Sequence, residues 1–240
     1  MSMTFQATAS GSNLLLSMLP DADYQALKPH LETVETPLHL KLCERDQPIE
    51  YAYFPLIGGH SILATMQDGA QVEVGTVGFE GMSTTDLILG GDVAVETTIC
   101  QIPGVALRMS AEMFRKLTTH DTPLRRISSR YLQTYLSMVS QNVACNRLHD
   151  IERRLAKWLL MSHDRMHRQD FVLTQEYLAA MLGVHRPSVS VAAGHLQRAG
   201  IIDYARGRIQ VLDRKALEGA SCECYGIVQK HFERILGRRL

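Results

Sequence analysis

The residues with the plainest chemistry share one stretch, GVHRPSVSVAAGHLQRAGII, from Gly183 to Ile202. A guanidinium such as that of Arg186 can pair bidentately with a guanine's O6 and N7. Hydroxyls such as those of Ser188 and Ser190 can bond phosphates or base edges, and a side chain such as Val191 can meet a thymine methyl. With Gly194 and His195 these residues form a face of mostly small side chains, which suits a helix lying deep in a major groove. Pro187 marks where that helix begins. Proline is tolerated in a first turn, where its missing N–H has no intrahelical partner, and it pushes the residue before it, Arg186, out of the helical region. The helix is expected to start there, with Arg186 extended as its N-cap, and to bury Val189, Ala192, Ala193 and Leu196.

Neighbouring elements must hold that helix in place. With Gln175 as position one of a twenty-residue helix-turn-helix, Leu178 falls at four, Ala179 at five, Leu182 at eight, Gly183 at nine, Val184 at ten and Val189 at fifteen. Two helices that cross closely need a small side chain at five, and the turn needs a residue that tolerates positive φ at nine. Thr174 is the expected N-cap of the first helix. Downstream, AGIIDYARGRIQVLD reads as two strands, Ile201 to Tyr204 and Ile209 to Leu212, joined around Gly207 with Arg206 and Arg208 on either side. A hairpin tip with two arginines beside a helix-turn-helix is a wing placed to meet phosphates. The candidate DNA-binding set is Thr174, Gln175, His185, Arg186, Pro187, Ser188, Ser190, Val191, Arg206 and Arg208. The competing use of such a unit is a winged helix that binds only protein, and the charge distribution favours DNA.

That distribution is hidden by a net charge of zero over 240 residues. Residues 1–145 hold 9 Lys and Arg against 15 Asp and Glu, a net of −6, and residues 146–240 hold 16 against 10, a net of +6. The C-terminal part is the one suited to a polyanion. No Lys or Arg occurs between Arg45 and Arg108, where Asp46, Glu50, Asp68, Glu73, Glu80, Asp86, Asp92 and Glu96 all do. The apolar runs are too short to span a bilayer and MSMTFQATAS lacks the regions of a signal peptide, so a cytoplasmic chain without a membrane partner is expected. Five scattered cysteines, Cys43, Cys100, Cys145, Cys222 and Cys224, agree with a reducing compartment. Cys222-Glu223-Cys224 with His231 downstream offers a redox pair or part of a metal site. Two thiols one residue apart do not make a four-ligand set, so a structural or incidental role is assigned and no metal ligands are named. No Gly-rich phosphate loop, nucleophile elbow or paired-carboxylate motif stands out, which leaves an enzyme reading without support.

The rest of the chain reads as supporting elements. NLLLSMLPDADYQALKPHLETV has helical spacing interrupted by Pro20 and Pro29, hence two short helices. From Thr36 to Met109 short β-rich runs (EYAYFPL, HSILATM, VEVGTV, VETTICQI, VALRM) are divided by Gly58-Gly59, Asp68-Gly69 and Gly90-Gly91, the texture of an antiparallel barrel or sandwich. Ser110 caps a helix to His120, and a longer helix runs from Pro123 to about Leu148. Along it Leu124, Ile127, Tyr131, Thr134, Met138, Gln141, Cys145 and Leu148 fall at alternating spacings of three and four. Leu132, Leu136, Val139 and Val143 lie on another face, so one side is expected to cover the barrel and the other to meet a partner helix. The first seam is assigned to dimerisation through Leu124, Ile127, Tyr131, Met138 and Cys145; the alternative is a helix buried wholly within its own subunit. Asp150 caps the next helix, IERRLAKWLLMSHDRM, which makes His149-Asp150 the hinge. Three segments follow: residues 1–121, 122–149 and 150–240.

In this order of elements, and above all in LTQEYLAAMLGVHRPSVSVAAGHLQRAGIIDYARGRIQVLD, the chain resembles transcription regulators of the CRP/FNR superfamily over nearly its whole length. The resemblance implies an α+β protein: an N-terminal antiparallel β jelly roll like a cyclic-nucleotide-binding domain, a long dimerisation helix and a C-terminal winged helix-turn-helix. It also implies double-stranded DNA, a second copy of the chain and RNA polymerase as partners. Where the family has a Ser-Arg-Glu run at the head of the recognition helix and a further Arg a turn later, this chain has His185, Arg186, Pro187 and Val191. Only the first arginine is kept, so a different operator is expected. The family's cyclic-nucleotide pockets use a Gly-Glu pair for the ribose, to which Glu80 in GFEGM is the weak counterpart. They use an Arg-Ser or Arg-Thr pair for the phosphate, where DVAVETTI has no arginine. A buried phosphate would face carboxylates alone, so no cyclic AMP or cyclic GMP binding of the familiar kind is expected. Iron–sulfur relatives carry an N-terminal cysteine group, whereas Cys43 stands alone before the barrel, and that cofactor is not expected either. His39, His60 and His120 invite a haem reading, but none is assigned as a ligand and the cofactor is unknown. Two functions stay open: a signal-responsive dimeric transcription factor, and an effector-independent DNA-binding protein whose roll only supports the dimer.

Overall fold

A computed structural model of the chain describes residues 12–166 and 170–237. The reading of MSMTFQATAS as lacking signal-peptide regions falls on residues outside those described. Two short helices come first, α1 (Leu14–Ser17) and α2 (Asp21–Leu27), with Pro20 just before α2 and Pro29 inside the 3-10 turn Lys28–His30 that ends it. Asn13 anchors α1. Its Oδ1 accepts the Leu16 N–H, while its buried Nδ2 donates to the carbonyls of Pro55 at 2.9 Å and Gly81 at 2.8 Å.

Five strands form one sheet: β1 (Glu32–Thr36), β2 (Lys41–Cys43), β3 (Tyr51–Thr65), β4 (Gln71–Val77) and β5 (Thr97–Ser110). Their order is β1-β5-β3-β4, with β2 also on β5; β1 and β2 both run antiparallel to β5, and Glu32 lies opposite Arg108. One expectation needs correction. Gly58-Gly59 is not a turn: EYAYFPL and HSILATM belong to the single strand β3, and VETTICQI and VALRM to β5. The physical reason is close approach of the two backbones. A Cβ on Gly104 would lie 1.9 Å from the Ile57 carbonyl oxygen, and one on Gly58, whose φ is +92°, would lie 2.5 Å from that of Ile102. Glycine there lets two long strands bend and touch without ending. Asp68-Gly69 is a true turn, held by the Ala70 N–H on Asp68 Oδ1.

Ser110 Oγ caps α3 (Ala111–Thr118) by accepting the Met113 N–H. The long helix α4 (Pro123–Leu148) follows, then α5 (Ile151–Met166), capped by Asp150 Oδ1 on the Arg153 N–H. The chain divides into two compact units, one holding residues up to 62 with 76–133, the other 63–75 with 134–240. In the first, Phe54, Val77, Met82, Leu87, Cys100, Met109 and Phe114 are fully buried. Tyr131 is buried over Gly81, where a Cβ would fall 2.0 Å from its ring.

In the second unit the remaining elements are β6 (Asp170–Val172), α6 (Gln175–Leu182), α7 (Arg186–Arg198), β7 (Ile202–Ala205), β8 (Arg208–Val211), α8 (Arg214–Ala220) and α9 (Cys224–Leu236). The three strands pair antiparallel in the order β6-β8-β7, so the hairpin read from the sequence has a third member and its strands shift by one residue. Leu155, Leu159, Leu178, Val189, Leu196, Ile209, Leu217, Val228 and Phe232 make the core. Buried Asp164 of α5 joins the helices around it, accepting from Arg214 at 2.7 Å, Tyr225 at 2.9 Å and Gln229 at 3.2 Å. Trp158 donates to Glu73 at 3.0 Å and Asn142 to the Val74 carbonyl at 3.0 Å, so residues 63–75 pack within this unit.

The residues assigned to the dimer seam, Leu124, Ile127, Tyr131, Met138 and Cys145, are all buried, the last three at 1% exposure each. The face that stays open on α4 carries Leu136 and Val143, 54% and 68% exposed.

Candidate nucleic-acid interface

The frame of the helix-turn-helix forms as its spacing requires. Thr174 Oγ1 accepts the Tyr177 N–H at 3.2 Å and starts α6. Gly183 ends it in the left-handed region (φ +61°, ψ +42°), and the Val184 N–H returns to the Ala179 carbonyl at 3.0 Å. A Cβ on Gly183 would sit 3.0 Å from Val72 Cγ2, so the position needs glycine for both conformation and space. Val189, Ala192, Ala193 and Leu196 are buried as expected.

The start of α7 differs from expectation by one residue. His185, at φ −75° and ψ 143°, is the extended N-cap; Arg186 is the first helical residue and Pro187 the second. Proline costs nothing there, because none of the first N–H groups of a helix has an intrahelical acceptor. Arg186 is thereby carried on the helix. Its exposed guanidinium lies 2.8 Å from Glu176 of α6. Ser190 donates to Gln175 Oε1 at 2.5 Å, which ties these two candidate residues to each other across the helix pair. His195 is held by Glu152 of α5 at 2.7 Å. Val191 is exposed and Ser188 half-buried, so α7 presents Arg186, Pro187, Ser188 and Val191 on its open face.

The wing turns on two residues, Arg206 (φ +51°) and Gly207 (φ +73°), between the paired residues Ala205 and Arg208. Positive φ at both central positions is the hairpin geometry whose twist matches its strands, and it places a strained Arg206 at the tip. Arg206 and Arg208 are exposed. The tip is pinned to the residue before the Thr174 cap: the Leu173 N–H donates to the Gly207 carbonyl at 2.7 Å, and the Tyr204 hydroxyl donates to the Leu173 carbonyl at 2.8 Å. Burial pushes that hydroxyl's pKa up to about 12, so it stays a donor at any physiological pH.

Not all of the C-terminal positive charge reaches solvent. Arg154, Lys157 and Arg165 are buried. Arg154 donates to the Leu182 carbonyl at the end of α6, Lys157 to Asn142 Oδ1 at 2.6 Å, and Arg165 to the Met161 carbonyl at 2.9 Å. Burial lowers the Arg154 pKa. These cations hold the unit together and leave the contact face to the remainder.

In the roll, Glu80 is buried and accepts the Gly78 N–H at 3.0 Å. His60 is fully buried with Nδ1 2.6 Å from Ser83 Oγ; burial drives its pKa down to about 3, so the ring is neutral. His39 and His120 lie at the surface.

Three of the cysteines form a group that the sequence did not bring together. Cys222 and Cys224, given no ligand set from the sequence, are joined by Cys145 and His149, with the four ligand atoms all within 4.8 Å of one another. His231 is not among them; its Nδ1 pairs with Ser137 Oγ. The signal missed was Cys145-x-x-x-His149, two ligand types one helical turn apart at the end of α4.

Comparison with known proteins agrees with this geometry. Residues 153–220 match the Crp-like helix-turn-helix domain. A search of curated proteins finds no match. Among solved structures, a CRP-family transcriptional regulator from Thermus thermophilus superposes with a TM-score of 0.65 at 20% identity, covering 80% of this chain and 99% of its own. FixK2 from Bradyrhizobium japonicum gives 0.64 at 16% identity, over 80% and 98%. The c-di-GMP responsive global regulator CLP from Xanthomonas campestris gives 0.62 at 16% identity, over 81% and 100%.

Proposed function

From a chain that has the fold of the CRP/FNR regulators and carries a Crp-like helix-turn-helix domain, we propose a sequence-specific, DNA-binding transcription regulator. It acts in the cytoplasm as a homodimer on a two-fold symmetric promoter site, with RNA polymerase as its further partner, and answers to a signal other than cyclic AMP. The observation that carries this reading is the pairing of α7's open face with a rigid wing, both hung on the segment around Thr174. α7 enters the major groove, where Arg186 and Val191 read base edges and Ser188 bonds base or backbone. Arg206 and Arg208 meet phosphates from the wing. Because Leu124, Ile127, Tyr131, Met138 and Cys145 are buried, the dimer contact falls to the stripe of Leu136, Ser140 and Val143, again at spacings of four and three. The exclusion of cyclic AMP is supported by the absence of Lys and Arg from Asp46 to Leu107.

The test is selection of duplexes from a randomised pool by the full chain, followed by footprinting. The expected product is an inverted repeat with half-site centres about one helical turn, roughly 34 Å, apart. Enrichment of a lone half-site bound by a monomer contradicts the reading, and recovery of no duplex at all removes it.

A further inference from the structure

Three thiols and an imidazole meet in the second unit, none of them on α7 or the wing. Cys145 lies in the last turn of α4, His149 follows one turn later, Cys222 precedes α9 and Cys224 is its first residue. All three cysteines are fully buried and their thiols are free of disulfides. Cys145 Sγ lies 3.5 Å from Cys222 Sγ, and Cys224 Sγ lies 3.5 Å from His149 Nδ1.

Those separations can be compared with a metal site. Three sulfurs at about 2.3 Å and one nitrogen at about 2.0–2.1 Å from a tetrahedral zinc ion stand about 3.8 Å apart between sulfurs and about 3.5 Å between sulfur and nitrogen. The two close pairs match those edges, and no pair of the four exceeds 4.8 Å. The surroundings also fit. His149 Nε2 lies 3.1 Å from Glu223 Oε2, an arrangement that keeps the proton on Nε2 and turns the Nδ1 lone pair towards the thiols. Gln141 Nε2 donates to Cys224 Sγ at 3.1 Å, a bond that favours the thiolate form. Three soft thiolates, all buried, and one half-buried imidazole suit zinc in a structural site rather than a hard cation or a catalytic metal.

We propose that Cys145, His149, Cys222 and Cys224 bind one zinc ion, which fastens the end of α4 and its link into α5 to the start of α9. Zinc draws together residues 77 positions apart in sequence. The site stands independently of the DNA-binding reading, since none of its ligands belongs to α7 or the wing.

The test uses the full chain. Elemental analysis after purification is expected to give one zinc per chain, and the Cys222→Ser, Cys224→Ser double variant close to none. Cobalt(II) in place of zinc is expected to show tetrahedral ligand-field bands and thiolate charge transfer. His149→Cys guards against misfolding as an explanation for loss: it should keep the metal and raise charge transfer by about a third, from three thiolates to four. Glu223→Leu should weaken zinc binding by about 10–100-fold while helix content by circular dichroism stays unchanged. Wild-type chain that takes up no zinc from a micromolar solution under reducing conditions overturns the proposal. So does zinc retained in full by the double variant, or a visible iron–sulfur chromophore in place of zinc.

Discussion

The two units differ in which polar side chains they leave for a partner. In the roll they are turned inward on one another: His60 on Ser83, Ser61 on Gln101, and Asn13 on the carbonyls of Pro55 and Gly81. No cation lies between Arg45 and Arg108 to meet an anionic guest. In the second unit Arg154, Lys157 and Arg165 are spent internally, and Arg186, Arg206 and Arg208 are left at the surface. The net charge of +6 over residues 146–240 therefore overstates the contact face, because buried cations cannot release counterions from DNA. What distinguishes an interface is which charges the fold leaves uncovered.

The contrast can be broken most forcefully at glycines. Gly104→Val puts carbon against the Ile57 carbonyl in the roll and is expected to cost about 3 kcal/mol or more in denaturant unfolding. Gly219→Ala in α8 has nothing within 4 Å and should be neutral or stabilise by up to about 1 kcal/mol. Equal effects at the two sites would mean that β3 and β5 are not in backbone contact.

Acid should separate the units next. Above pH 6.5 His60 is neutral folded and unfolded; below it the unfolded chain takes up a proton that the folded roll refuses until about pH 3. Stability thus falls with pH through that window, by about 2–3 kcal/mol between pH 6.5 and 4.5. His60→Gln should flatten this limb in melts taken at stepped pH, and an unchanged limb would assign the loss to other groups.

A smaller effect sharpens the account of α4. Leu136→Asp with Val143→Asp should weaken self-association at least about tenfold, or about 1.4 kcal/mol, in sedimentation, leaving the monomer folded. Unaltered association would place the dimer contact elsewhere. The smallest effect is none: millimolar cyclic AMP is expected to shift neither the melting temperature nor the DNA affinity, and micromolar binding in calorimetry would overturn the reading of the roll.

How much of this is legible in the sequence follows from how local each feature is. Thr174, Ala179, Gly183 and the caps Ser110 and Asp150 act on residues within one or two turns, and the sequence shows all of them. Gly58 looks like punctuation because its reason, the close approach of β5 at Ile102 and Gly104, lies on another strand. β6 is three residues long, too short to carry a pattern. α4 offers two stripes at the same spacing, and only packing shows that Tyr131 and Met138 face inward while Leu136 and Val143 face out. The four proposed zinc ligands come as two local pairs, Cys145 with His149 and Cys222 with Cys224, and only the fold brings the two pairs together across 77 positions of sequence.

The central claim is that α7 reads bases while the wing holds the backbone, and fluorescence anisotropy on selected and scrambled duplexes at several salt concentrations tests it directly. Arg186→Ala should cost about 1–3 kcal/mol on the selected site and much less on the scrambled one. Arg206→Ala or Arg208→Ala should weaken both duplexes alike and lower the salt-dependence slope by about one unit for each phosphate no longer neutralised, doubled in a symmetric dimer. If Arg186→Ala weakens both duplexes equally, its guanidinium holds phosphate rather than guanine, and base reading by Arg186 is contradicted.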